Sequence, residues 1–239
     1  MRALAGFLDL IYPPRCLLCE SWEEPVLCSA CVAQLPTVPE PVCVVCGHPS
    51  EPERVCRLCE AAADRWGGWA FESARAAGRH VGALRYGLHL LKYRGKESLA
   101  EPLGAWLAHR YLTELRGTAP PELLVALPLS ARKRRARGYN QAALLAQPLA
   151  EQLALPVLPE GAFVRVRAEQ SQMTLGAAQR LANLSPTDFE VTDPALLAGK
   201  RLLLIDDVMT TGASLHCAAA TLLKAGAAGV EALALSRSF

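Results

Sequence analysis

The sequence predicts an α/β protein: a mostly parallel, doubly wound sheet flanked by helices from about residue 75 onward, behind a small metal-stapled N-terminal module. Two observations carry this. Short apolar runs, LLVALP at Leu123–Pro128, LLLI at Leu202–Ile205 and VEALALS at Val230–Ser236, alternate with Ala/Leu-rich helical stretches. Four CxxC pairs also crowd the first quarter of the chain. The 239 residues, 51% hydrophobic and 20% charged, suit a globular chain of one medium and one small domain. The expected division is residues 1–62 and 63–239. A net charge of +2 gives no bulk polycation. MRALAGFLDLIYPP lacks the long apolar run and cleavage site of a signal peptide, and the chain has no membrane-length apolar stretch. A cytoplasmic location is the expectation.

Taken in order, Ala3–Ile11 suits a short apolar helix or strand. The cysteine pairs follow: Cys16 with Cys19, Cys28 with Cys31, Cys43 with Cys46, and Cys56 with Cys59. Each CxxC turn offers two thiolates to one metal, so two turns complete a tetrahedral zinc site. The spacers are eight residues in the first pair of turns and nine in the second, with eleven between the pairs. This near-duplication reads as two tandem zinc ribbons, although spacing alone leaves interleaved ligation open. Disulfides are the competing reading, disfavoured in a reducing compartment. The ninth cysteine, Cys217, reads as a small buried apolar residue.

Residues 61–87 form a transition that includes strands entering the second domain. Helices are expected at Gly87–Tyr93 and at Ser98–Leu115, where Leu99, Leu103, Trp106, Leu107 and Tyr111 recur at helical spacing. Trp106 is read as core. After LLVALP come Leu129-Ser130, a loop with the basic stretch Arg132, Lys133, Arg134, Arg135 and Arg137, and an Ala/Leu-rich helix. Strands are expected in 162–167 and at Phe189–Val191, around a polar segment at 168–185.

The stretch RLLLIDDVMTTGAS, Arg201–Ser214, carries the chemistry. A buried strand ends, two acids follow (Asp206 and Asp207), and a small hydroxyl-rich turn leads into a helix over Leu215–Ala225. In open α/β sheets ligands bind beyond the carboxyl ends of the strands. Backbone N–H groups at a helix N-terminus, joined by hydroxyls from Thr210, Thr211 and Ser214, suit a phosphate, and Gly212 permits close approach. The acid pair can accept hydrogen bonds from a vicinal diol. Together they describe a ribose 5-phosphate site. A Walker B strand is the rival, but the chain has no GxxxxGK[ST]. A receiver-domain acid pair normally ends the first strand, whereas only 32 residues follow Asp207.

LLLIDDVMTTGAS resembles the phosphoribosyl pyrophosphate (PRPP) motif of type I phosphoribosyltransferases. With the CxxC turns, LKYRGK, RRARGYNQAALLA and RVRAEQSQMTLGAAQRLANL, the whole chain resembles the ComF family of bacterial competence proteins, in its double zinc ribbon form. The resemblance implies a type I phosphoribosyltransferase-like fold and a role in DNA uptake. It places the ribose-diol acids at Asp206 and Asp207, which would be the catalytic pair. The 5′-phosphate loop falls at Met209, Thr210, Thr211, Gly212, Ala213 and Ser214. The pyrophosphate loop falls at Leu129 and Ser130, and a closing lid falls in Arg165–Arg180, with Gln172 and Arg180 as its site residues. Mg²⁺ with PRPP is the implied cofactor, beside two structural Zn²⁺ ions.

Two functions fit these residues. One is a PRPP-dependent transferase whose acceptor the sequence does not name. The other is a binding module for a nucleotide or single-stranded DNA, with the basic stretch neutralising backbone phosphates. Other DNA-uptake proteins are the implied protein partners. A PRPP-responsive regulator fits less well, with no helix-turn-helix in view.

Overall fold

In the computed structural model the described residues are 15–22, 26–51, 56–117, 119–166 and 185–239. Their centre is a four-stranded parallel sheet. It is built from β1 (Ser73–Arg79), β2 (Leu123–Ala126), β5 (Arg201–Met209) and β6 (Gly229–Arg237), in the order β1-β6-β5-β2. The strands expected in 162–167 and at 189–191 form, but they pair with each other. β3 (Phe163–Arg165) and β4 (Phe189–Val191) make a separate antiparallel pair, Phe163 opposite Val191.

The central strands are apolar at almost every position because both faces are covered. Alternation along β5 divides the core. Leu203 and Ile205 join Leu233 and Leu235 of β6 in a layer with α3 (Gly82–Tyr93), α4 (Ala100–Arg110) and α6 (Gln141–Leu153). Leu84, Leu88, Leu103, Leu107, Leu145 and Leu149 fill it. On the opposite face Leu202, Leu204, Ala232 and Ala234 pack with Leu215, Ala218, Ala219 and Leu222 of α7 (Ala213–Lys224) and with Phe163 and Phe189. Burial on two faces bears out the doubly wound expectation.

Several boundaries differ from the sequence reading. The helix expected at Gly87 begins at Gly82. The one expected over Ser98–Leu115 is a 3₁₀ turn at Glu97–Leu99, then α4, then a π turn at Tyr111–Leu115. Buried Glu231 of β6 sets that ending, accepting from the Tyr111 hydroxyl at 3.2 Å and from Gly117 N–H at 3.0 Å. Trp106 and Cys217 are core residues. The basic stretch is helical: α5 spans Ala131–Arg137, with the Ser130 hydroxyl as its N-cap.

The cysteine ribbons lie against β1. Thr37 bridges Gly78, Arg79 N–H donates to Pro36 O at 2.9 Å, and Ala74 N–H donates to Val45 O at 2.7 Å. A Cβ at Gly78 would collide with Pro36 O, so this seam requires glycine there. Cys16, Leu27, Cys28 and Leu35 of the first ribbon, whose helix α1 is Ser29–Ala33, join the layer containing α3. The second ribbon runs into α2 (Arg57–Trp66). Ala3–Ile11 and the polar segment with Gln172 and Arg180 lie outside the described residues.

Candidate functional site and metal centres

The sulfurs of Cys16, Cys19, Cys28 and Cys31 form one cluster, and those of Cys43, Cys46, Cys56 and Cys59 another, each set lying within 4.8 Å of one another. A tetrahedron of four thiolates about 2.3 Å from zinc has edges of about 3.8 Å. Four sulfur separations match, Cys16–Cys31 3.8 Å, Cys19–Cys28 3.6 Å, Cys43–Cys59 3.6 Å and Cys56–Cys59 3.7 Å, while Cys46–Cys56 is closer at 3.2 Å. The four turns therefore pair in sequence order rather than interleaved, and both sets fit structural zinc. The second centre is the more enclosed, with all four cysteines buried, whereas Cys19 of the first is exposed.

The acid pair lies inside β5 rather than after it, because pairing to β6 continues through Met209. On the other edge β2 stops early, its last partner being Ile205 opposite Ala126. Asp206 to Met209 thus project past the end of β2, at the carboxyl end of the sheet where ligands bind.

Asp207 is buried on the α3 side and takes Lys92 Nζ at 2.8 Å through one oxygen, Oδ1. Its Oδ2 is buried with no hydrogen-bond partner among the described residues. A carboxylate oxygen in that state is costly unless a ligand completes it. Half-buried Asp206 accepts the Asp207 N–H at 2.7 Å. Burial, then the neighbouring Asp207 charge, pushes the Asp206 carboxyl up to about 7, against the pull of Lys92. Behind them the Ser236 hydroxyl lies 3.3 Å from Asp207 O and 3.0 Å from His80 Nδ1. Burial, then the cations Lys92 and Arg85, hold His80 below its ordinary value.

The turn after β5 is short. Thr210 is exposed, Thr211 Oγ1 accepts Ala213 N–H at 3.4 Å, and Gly212 precedes α7 with φ +88°. A side chain at 212 would be strained by that φ and would press on the Trp69 ring 3.4 Å away. The Ala213 side chain is buried, so its contribution to a ligand is its N–H. Met209 is buried as well, its sulfur 3.7 Å from Arg237 Nη1.

Leu129 and Ser130 follow β2 after Leu127 and Pro128. Buried Ser130 bridges Arg165 of β3, whose charge also acts on Asp206. The basic stretch divides by side chain. Arg132, Lys133 and Arg137 line a cavity of about 420 Å³, with Lys92, Tyr93, Gly95, Ala136 and Tyr139 completing the wall. Arg134 pairs instead with Glu160, and Arg135 is exposed. RGYNQA sets the next helix: the Tyr139 hydroxyl donates to Leu91 O, Arg137 donates to Gln141, and Asn140 caps α6 through Ala142 N–H while donating to Leu127 O at 3.1 Å.

Lys92 and His80 were not read as site residues from the sequence, and Arg165, the first residue of the expected lid region, lies in β3 instead. Lys92 stood in view within LKYRGK. Its role depends on α3 crossing above the end of β5, which no local pattern reports.

Residues 7–60 match the double zinc ribbon domain, and residues 140–237 match the phosphoribosyl transferase domain. The protein is thus a phosphoribosyltransferase-like α/β protein carrying a double zinc ribbon. Over 237 residues it is 30% identical to the "DNA utilization protein YhgH" of Salmonella typhi, covering 96% of this chain and 99% of that one. It is also 30% identical to "Competence protein ComFC" of Bacillus subtilis, over 93% of this chain and 95% of that one. The chain belongs to the ComF family. Among solved structures it is similar to an adenine phosphoribosyltransferase from Thermoanaerobacter pseudethanolicus, at 18% identity over 63% of this chain and 84% of that one, with a TM-score of 0.36.

Proposed function

We propose that this protein binds PRPP, or a ribose 5-phosphate group, at the carboxyl end of β5, and that it serves DNA uptake. The observation that carries the site is Asp207. Its carboxylate is buried, half paired by Lys92, with Oδ2 lacking a partner among the described residues, and β2 pairing ends before it, at Ile205. A buried acceptor short of one partner, two residues before a small-residue turn into a helix, fits a ribose diol whose 5-phosphate meets the α7 N-terminus. The role in DNA uptake is supported by relatives named for competence and DNA utilization.

In this reading Asp206 and Asp207 orient the ribose through its hydroxyls. Lys92 holds Asp207 in place and keeps positive charge beside the acids. N–H groups of residues 211–214, with the Thr210, Thr211 and Ser214 hydroxyls, take the 5-phosphate. Leu129 and Ser130 present backbone N–H groups toward the diphosphate, and Arg132, Lys133 and Arg137 supply cations nearby. Gln172 and Arg180 belong to a lid that excludes water from C1 of the sugar. Carboxylates and diphosphate oxygens are the hard donors Mg²⁺ prefers, and when bound Mg²⁺ neutralises leaving-group charge.

The test is calorimetry with PRPP and Mg²⁺, beside a diphosphate-release assay against a panel of bases and amines. Binding with release supports a transferase; binding without release supports a ligand-binding module. Absence of binding by both PRPP and ribose 5-phosphate in the same calorimetry rejects the site. The second reading, contact with single-stranded DNA, is favoured by the cation-lined cavity and by exposed Arg135 on the same helix. A salt-dependent titration with single-stranded DNA tests it.

A further inference from the structure

The second cysteine centre reaches the phosphate loop through aromatic rings. Trp69 Nε1 donates to Cys59 Sγ at 3.3 Å. The same indole stands 3.4 Å from where a Cβ would sit on Gly212, and it stacks on Phe71 with centroids 5.0 Å apart. Beside it Trp66 stacks on His216 of α7, with centroids 4.0 Å apart and planes 16° apart. His216 Nδ1 accepts Ala70 N–H at 3.0 Å, which puts any single ring proton on Nε2. One face of the Gly212 turn and the first turn of α7 therefore rest on residues 66–71, which hang from Cys59.

A second link runs through Arg237. It is 1% exposed, and its Nη1 donates to Cys46 O and approaches Met209 Sδ. Its Nε and Nη2 have no hydrogen-bond partner among the described residues. Zinc with four thiolates carries two net negative charges, so the second centre supplies the countercharge a buried guanidinium needs. Groups of this kind, an N–H to a ligating sulfur and a facing cation, orient and hold metal ligands. Arg237 stands opposite Met209 in the β5–β6 register, where the acid-bearing strand gives way to the phosphate loop. Among the described residues the first centre has no such route. It packs through Leu27 and Leu35 with Ala77 and Leu84, in the layer under α3.

We infer that metal occupancy of the second cysteine centre sets the shape of the 5′-phosphate loop, with Trp69 and Arg237 as the positioning residues that carry the coupling. This rests on the proposed ribose 5-phosphate reading of that loop.

The experiment compares Cys59→Ser, Trp69→Phe and Cys19→Ser in the full chain. The readouts are zinc content, zinc release to a chelator, hydrogen exchange of peptides spanning 209–216, and PRPP–Mg²⁺ affinity. Cys59→Ser should lose one zinc, exchange faster across 209–216 and bind PRPP roughly tenfold more weakly. Trp69→Phe keeps an aromatic ring but not its N–H; it should retain both zincs, release the second roughly tenfold faster and speed exchange in the same peptides. Cys19→Ser should lose the first zinc and leave exchange at 209–216 as in the wild type. Unchanged exchange there in both Cys59→Ser and Trp69→Phe overturns the coupling, as does an equal effect from Cys19→Ser. Should Cys59→Ser fail to fold, Trp69→Phe decides alone. If the exchange pattern appears but the wild type binds neither PRPP nor ribose 5-phosphate, the coupling stands and the ribose-phosphate reading fails.

Discussion

Lys92 and Asp207 face each other with little water between them, so removing one leaves the other as an uncompensated buried charge. Lys92→Met should cost about 3 kcal/mol of stability, read by denaturant unfolding. Lys92→Met with Asp207→Asn should recover most of that loss. Asp207→Asn alone should lower PRPP affinity by about 1.5–3 kcal/mol in calorimetry, because a charged acceptor becomes an amide in a desolvated site. Asp206 gives a pH dependence of defined sign. Its folded pKa, about 7, lies above the ordinary carboxylate value. The stability it contributes is fully present below that ordinary value and disappears as pH rises through about 7. Ligand-free protein should therefore melt at a lower temperature at pH 8 than at pH 6, and Asp206→Asn should flatten this difference. PRPP–Mg²⁺ binding should strengthen over the same interval, since the ionised carboxylate is the better acceptor.

At the scale of elements, α5 is where sequence and structure diverge in an informative way. The sequence shows five cations close together and cannot say which share a face. Folded, Arg132, Lys133 and Arg137 turn to the cavity while Arg134 is engaged by Glu160. Replacing Arg132 and Lys133 with Gln should weaken PRPP binding in calorimetry. Replacing Arg135 should leave it unchanged and reduce only the salt dependence of single-stranded DNA binding, by roughly 0.7 in slope for one phosphate contact. The strands of the parallel sheet were legible because burial on both faces leaves continuous apolar runs such as LLLI. The metal centres were legible because CxxC spacing is a local property. Lys92 and His80 were hidden because each reaches the acid pair from a distant segment. The start of α3 was missed because Gly82 and Gly87 are weak helix formers, although Leu84, Leu88 and Leu91 recur at helical spacing.

For the molecule as a whole, the ribbons and the sheet share a boundary. Hydrogen bonds join Val44 and Val45 to Arg75 and Ala74, and Arg237 to Cys46. Freshly reduced protein should contain two zincs by metal analysis. Stripping both should not simply unfold residues 14–60; melting should also show loss of β1 and a lower transition for the sheet, detectable as faster hydrogen exchange over residues 73–79. Exchange at 73–79 that stays at its zinc-loaded rate would mean the ribbons are an independent unit.

β1 has a consequence for how the chain is made. Its ladder partner in the sheet is β6, with Ser73 opposite Glu231 and Arg79 opposite Arg237. The ribosome therefore releases β1 on the order of 150 residues before the strand it pairs with, at a sequence separation that makes closure slow. The second set of cysteines leans on that same strand and on Arg237, so it too lacks its final support through most of translation. During that interval its thiols are open to oxidation and to the wrong metal. Zinc supply and a reducing environment thus matter most for the nascent chain, before the finished sheet shields the site.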